Sequence, residues 1–312
     1  MLGRLGRDAG SLLGLEINPP FIRLVRLQRS RGRCRVLAWA LEPLPAAAMD
    51  NGWIGDPEQV GTALLQAVRR SAGRARRAAI ALPAGLVIEK QLSMPANFDD
   101  ESIAECLPGD FGQFVPFALE DAAIDFQVMG PDPGDPQRQR IVVAACHLAL
   151  LDVLHASLES SGLRACVVEP DSHALHRAVQ ADGAHEGLLL HVEADALVFF
   201  EWGEEPLPIR REAPRHAQGH SVQSLTTAVD NFLLSSPGRA LPSQLLLSGA
   251  GAAQPHVPGQ LQQRLGMPVR HVDPFNSLAL ASGLEAQTLK VQAPYLAVAC
   301  GLAMREAERC LR

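Results

Sequence analysis

Apolar and polar positions over the first eighty residues form short, strand-length runs followed by one helical stripe. The runs Leu12–Ile17, Phe21–Arg29 and Cys34–Leu41 predict three strands. Only the third alternates tolerably with a period of two, so the first two rest on β-branched content and flanking turns. Asp56 is placed to cap a helix, Pro57 suits its first position, and Val60, Leu64 and Val68 return on one face. The short apolar run Ala78–Leu82 predicts a buried strand.

The second half repeats that order. Gly187–Val192, Ala196–Trp202 and Leu207–Arg211 read as strands, and Ser221–Leu234 as a helix with Leu225, Val229 and Phe232 on one side. Gln244–Ser248 is again a strand and runs into Gly249-Ala250-Gly251. A duplicated strand, strand, strand, helix, strand unit predicts a mixed α/β protein on the plan of actin and the sugar kinases, two lobes facing a cleft. The first lobe is expected over residues 11–82 and 168–186, and the second over 187–312.

Residues 83–167 read as an inserted α+β subdomain with strands at Val87–Ser93, Ala122–Met129 and Gln139–Ala145 and a helix at Leu148–Ser161. A further helix from about Asp99 is expected to stop near Leu107, because Pro108-Gly109 follows and proline costs about 3 kcal/mol inside a helix. The tail from Pro294 to about Cys310 starts apolar on every side and turns charged after Arg305, which predicts a helix buried at its start and exposed at its end.

Composition narrows the function. Across 312 residues, 47% hydrophobic and 20% charged content supports a full core, and a net charge of −6 argues against nucleic acid as a partner. Arg69, Arg70, Arg74, Arg76 and Arg77 read as a solvated turn, with an anionic partner as the sharper alternative. Cysteines 34, 106, 146, 166, 300 and 310 lack paired spacing, as expected of reduced thiols in a cytosolic protein. No signal peptide is evident, and no apolar run reaches the ~20 residues of a membrane span. Met1–Gly10 reads as a frayed arm. His216 and His220, and Cys146-His147 near His155, lack a third ligand at sensible spacing, so no metal site is expected. Nucleophile-elbow, Walker and dinucleotide fingerprints are missing too.

Several stretches together carry a family likeness. Leu13-Gly14-Leu15-Glu16-Ile17 with Ile22–Leu27, Gln113-Phe114-Val115-Pro116-Phe117 with Asp125–Pro131, and Leu247-Ser248-Gly249-Ala250-Gly251 are three of them. Leu265–Val269 with Asp273-Pro274-Phe275, and Ala299-Cys300-Gly301-Leu302-Ala303, follow in order. The chain resembles PilM, the FtsA-like component of type IV pilus machinery. That resemblance implies an actin-like fold with an inserted subdomain, commonly ATP binding, and a cytoplasmic role at the inner membrane. The partner it implies is the short N-terminal tail of PilN, held in a groove that involves the inserted subdomain.

Against the family's pattern the phosphate loops are altered. The first hairpin reads Glu16-Ile17-Asn18-Pro19-Pro20, and neither Pro19 nor Pro20 has an N–H to offer a phosphate. The second reads His191-Val192-Glu193-Ala194-Asp195, with Glu193 in place of a glycine. A carboxylate about 4 Å from a phosphate charge is repelled by about 4 kcal/mol at an effective dielectric near 20. Gly249 and Gly251, on the adenine side, persist, though a plain strand-to-helix turn uses them equally. The stretch from Arg211 to Ser221 leaves room only for a loop where relatives carry a helical cover.

These features predict a non-catalytic scaffold that binds neither ATP nor magnesium and docks a PilN-like tail. Phe114, Val115, Pro116, Phe117 and Leu119 are the candidate partner-binding residues, with a role as core for the inserted subdomain as the plainer reading. An actin-like ATPase with atypical loops, or a scaffold of a related secretion or DNA-uptake apparatus, are the alternatives.

Overall fold

The structure is a computed structural model, and it describes residues 12–30, 33–50, 52–73, 75–184, 187–194, 196–203, 205–213, 221–235 and 241–305. Arg74, Asp195, His216, His220, the arm Met1–Gly10 and the tail beyond Arg305 lie outside the described residues.

The first lobe opens with strands β1 (Leu13–Asn18), β2 (Phe21–Ser30) and β3 (Arg33–Pro43). A small hairpin of β4 (Met49–Asp50) and β5 (Trp53–Ile54) leads into helix α1 (Pro57–Ala67) and strand β6 (Arg77–Leu82). Asp56 caps α1 by accepting the amides of Glu58 and Gln59 at 3.1 and 3.0 Å, and Pro57 fills the first position as expected.

The insertion comprises β7 (Ile88–Pro95), α2 (Asp100–Phe111), β8 (Ala122–Asp132) and β9 (Asp135–His147). It forms its own three-stranded sheet in the order β7-β9-β8. Helix α2 does not stop at Leu107: it runs through Pro108 to Phe111. Leu107 and Phe111 are buried against Ile141 and Val143 of the sheet, and that packing offsets the hydrogen bond the proline removes.

Next come α3 (Leu148–Glu159), β10 (Arg164–Pro170) and α4 (Asp171–Ala181). Here the boundary expected at residue 167 shifts. Leu154 and Leu158 of α3 are buried in the first lobe's core with Val60 and Leu64 of α1, and β10 pairs in parallel with β6. The chain thus returns to the first lobe at α3, because the apolar face of α3 finds its complement on α1.

The second lobe contains β11 (Leu188–Val192), β12 (Leu197–Glu201), β13 (Ile209–Ala213), α5 (Val222–Leu234), β14 (Leu245–Ser248), α6 (Val257–Leu265) and β15 (Val269–His271). Strand β16 (Ala279–Leu280) and helix α7 (Ala286–Ala303) close the described chain. The third strand of this lobe begins two residues later than expected, at Ile209.

The duplication is explicit in the sheets. One runs β16-β3-β2-β1-β6-β10, the other β13-β12-β11-β14-β15. In both, a three-strand antiparallel meander is extended by two parallel strands. The last segment does not stay in the second lobe, where the division 187–312 placed it. Strand β16 pairs with β3 of the first sheet, and α7 packs on β1, β2, β6 and α4. Helix α7 also begins two turns before Pro294 and carries that proline inside it. Leu289, Leu296, Val298, Cys300 and Leu302 are all buried, on several sides of the helix, because it lies between the two lobes.

Candidate functional site

The two hairpins meet across a cleft of about 410 Å³ lined by Glu16, Asn18, Asp171, His191, Glu193 and Arg210 together with apolar residues such as Leu86 and Phe200. In the first hairpin the Pro19-Pro20 turn sets Glu16 of β1 directly opposite Arg23 of β2. Arg23 is wholly buried, a position where a charged side chain needs partners. One guanidinium nitrogen, Nη1, donates to Glu16 Oε1 at 2.9 Å and to the Asn18 carbonyl at 3.3 Å. The other, Nη2, donates to Glu193 Oε2 at 2.9 Å, and Glu193 belongs to the opposite lobe.

Glu193 is held in turn by its surroundings. Its Oε1 accepts the Ala250 amide at 3.2 Å and lies 3.5 Å from His191 Nε2. The other ring nitrogen, His191 Nδ1, is 2.8 Å from Ser248 Oγ. Desolvation holds the His191 imidazole below its ordinary pKa. Gly249 is needed here: its φ is +91°, and a Cβ would lie 2.3 Å from the Val192 carbonyl. Its amide donates to the Pro294 carbonyl at 2.9 Å, which ties the turn to α7. Gly251 lies in the short 3-10 turn that follows and has no positive φ.

Burial dominates the carboxyl groups. Desolvation raises the pKa of Glu16, opposed by Arg23 and reinforced by the Glu193 and Asp171 charges. Desolvation also pushes Asp171 up to about 7, against the amide of Ala84, which donates to it at 3.1 Å. Glu16 Oε2 has no hydrogen-bond partner among the described residues.

The Glu16–Arg23 pairing is absent from the sequence reading, although the two-residue turn at Pro19-Pro20 carries the register that sets it. Arg23 as a lobe-to-lobe contact and Asp171 as a cleft residue were not singled out, since their neighbours come from distant segments. The five groove residues divide. Val115 is core, Phe117 is half-buried with its ring 5.1 Å from His147, and Phe114, Pro116 and Leu119 are exposed. Lys90 lies 5.3 Å from the centre of the Phe114 ring. Three arginines of the basic stretch are locally engaged: Arg70 pairs with Glu42 at 2.9 Å, Arg76 donates to nearby carbonyls, and Arg77 donates to Cys166.

The paired sheets, the interposed helices and the cleft at the hairpins define an actin-like fold. The protein in a PilM-PilN type IV pilus biogenesis complex shares it at a TM-score of 0.74 and 20% identity, over 96% of this chain and 99% of that one. Ethanolamine utilization protein EutJ from Carboxydothermus hydrogenoformans follows at 0.54 and 11% identity, over 95% and 89%. Diol dehydratase-reactivating factor in nucleotide-free form reaches 0.50 at 8% identity, over 93% and 98%. The family of type IV pilus assembly protein PilM matches residues 14–189 and 217–307, and the chain belongs to that family. No described helix is long and apolar enough to cross a membrane.

Proposed function

We propose that this chain is a non-catalytic scaffold of a type IV pilus assembly platform, held at the cytoplasmic face of the inner membrane by docking the N-terminal tail of a PilN-like protein. The observation that carries the non-catalytic half is the fully buried Arg23, bound to Glu16 on one side of the cleft and to Glu193 on the other. A magnesium–triphosphate does not fit these residues. The turn between β1 and β2 is two prolines without N–H groups. The carboxylates that would meet a metal are already engaged by a guanidinium, and Glu193 repels phosphate.

The docking half rests on family membership and on the likeness to a protein solved with PilN. Exposed Phe114, Pro116 and Leu119 on the insertion offer an apolar ledge, with Phe111 and Val115 of its core beneath. A peptide lying across it buries aromatic surface with little ordering of these side chains.

Titration calorimetry with a synthetic PilN-type N-terminal peptide tests the docking. Binding is expected, with a tenfold or greater loss in the double variant Phe114→Ala/Leu119→Ala. Failure of every such peptide to bind sinks the scaffold reading. Thermal unfolding with and without Mg-ATP tests the other half: no change in Tm is expected, and a nucleotide-dependent rise would contradict it.

A further inference from the structure

The donor atoms of Glu16, His191 and Glu193 lie within 4.8 Å of one another, and all three residues are buried. Two carboxylates and an imidazole at that spacing have the chemistry of a divalent-cation site. Arg23 reaches into the same space with one guanidinium nitrogen 2.9 Å from Glu16 and the other 2.9 Å from Glu193. A metal ion and this guanidinium cannot share the site, since both are cations requiring the same oxygens.

We propose that Arg23 is the resident cation of this site: its guanidinium takes the place of a metal ion and clamps the two lobes together from within the chain. A planar fork with two donors on separate nitrogens suits carboxylates that approach from opposite lobes. The contact is single on each side, and the remaining Glu16 oxygen is unpartnered among the described residues. That is the arrangement expected when one cation serves two acids. His191, fixed through Ser248, completes the donor set on the Glu193 side. The clamp needs no ligand to close, so the arrangement of the lobes does not depend on a nucleotide. This inference rests on the same cleft as the scaffold reading, but its test does not involve a peptide, so either can fail alone.

Removing the guanidinium leaves a cation-sized gap that small solutes reach through the cleft, which Glu16 and Glu193 line. The purified full chain carrying Arg23→Ala is expected to unfold about 10 °C below wild type, as for loss of one partner from a buried ion pair. Millimolar methylguanidinium or Mn2+ is expected to restore much of that loss in the variant and to leave wild type unchanged. In Arg23→Ala/Glu193→Gln the restoration should disappear. An unchanged Tm in Arg23→Ala, or a lowered Tm that neither cation raises, overturns the proposal. Should Arg23→Ala fail to fold, Arg23→Lys is read instead, because one ammonium does not span both carboxylates. Spin labels placed on the two lobes are then expected to report a wider separation, and an unchanged distance overturns the clamp. Binding of Mn2+ by the wild-type protein that is lost in Glu16→Gln also overturns it.

Discussion

Arg23 of the first lobe and Glu193 of the second, 170 positions apart in sequence, meet at 2.9 Å with both side chains shut off from water. Such a contact specifies an arrangement more than it stabilises one, because removing two charges from water opposes their attraction. Taking away Arg23 alone strands two acids and is expected to cost about 3–5 kcal/mol in urea unfolding. Replacing the three residues together, as Glu16→Leu/Arg23→Met/Glu193→Leu, is expected to fall within about 1 kcal/mol of wild type or above it. A triple variant as unstable as the single one would show that the charges themselves stabilise the fold.

One cleft carboxyl gives stability a definite pH slope. Asp171 is raised by burial to about 7. Above the ordinary carboxylate range the unfolded chain therefore releases a proton that the folded chain still holds. Its contribution is complete at acid pH and is lost as pH rises through that value, at up to about 1.4 kcal/mol per pH unit. Stability is expected to fall between about pH 4 and pH 7, and Asp171→Asn should flatten that fall. An identical slope in the variant would show that Asp171 does not hold its proton.

Close approach fixes helix α7. A Cβ on Gly301 would lie 1.9 Å from the Ala174 carbonyl of α4, and one on Gly14 would lie 1.8 Å from the Ala299 carbonyl of α7. Gly301→Ala and Gly14→Ala are each expected to destabilise by at least about 1–3 kcal/mol through overpacking. Gly259 in α6 meets nothing within 4 Å, so Gly259→Ala serves as a control and should be neutral or gain up to about 1 kcal/mol. Urea midpoints of the three variants decide this.

Helix α2 carries Pro108 on its exposed side. Pro108→Ala adds a backbone hydrogen bond without removing core surface, and is expected to stabilise the protein by about 1–3 kcal/mol. Local hydrogen exchange in α2 should slow accordingly. Exchange that stays the same would mean that packing of Leu107 and Phe111 alone sets the helix's stability.

Local signals were enough for the meander of each lobe and the Asp56 cap. Each depends on neighbours within about ten residues, where periodicity and turn chemistry operate. The same signals misplaced the end of α2, because they weigh a proline without the buried face that retains it. They also assigned α3 and the end of the chain to the wrong bodies, since an apolar stripe says that a helix is covered and not by what.

The sequence by itself determined that this protein has two similar lobes, an insertion within the first, and hairpins that carry Pro19-Pro20 and Glu193. Only the tertiary structure decided that the acids of both lobes share one arginine, and that α7 leaves the second lobe to pack between the sheets. Strand patterns are written by nearest neighbours. A buried charge chooses its partners from whatever the folded chain brings within three ångströms, and that choice exists only once the lobes have met.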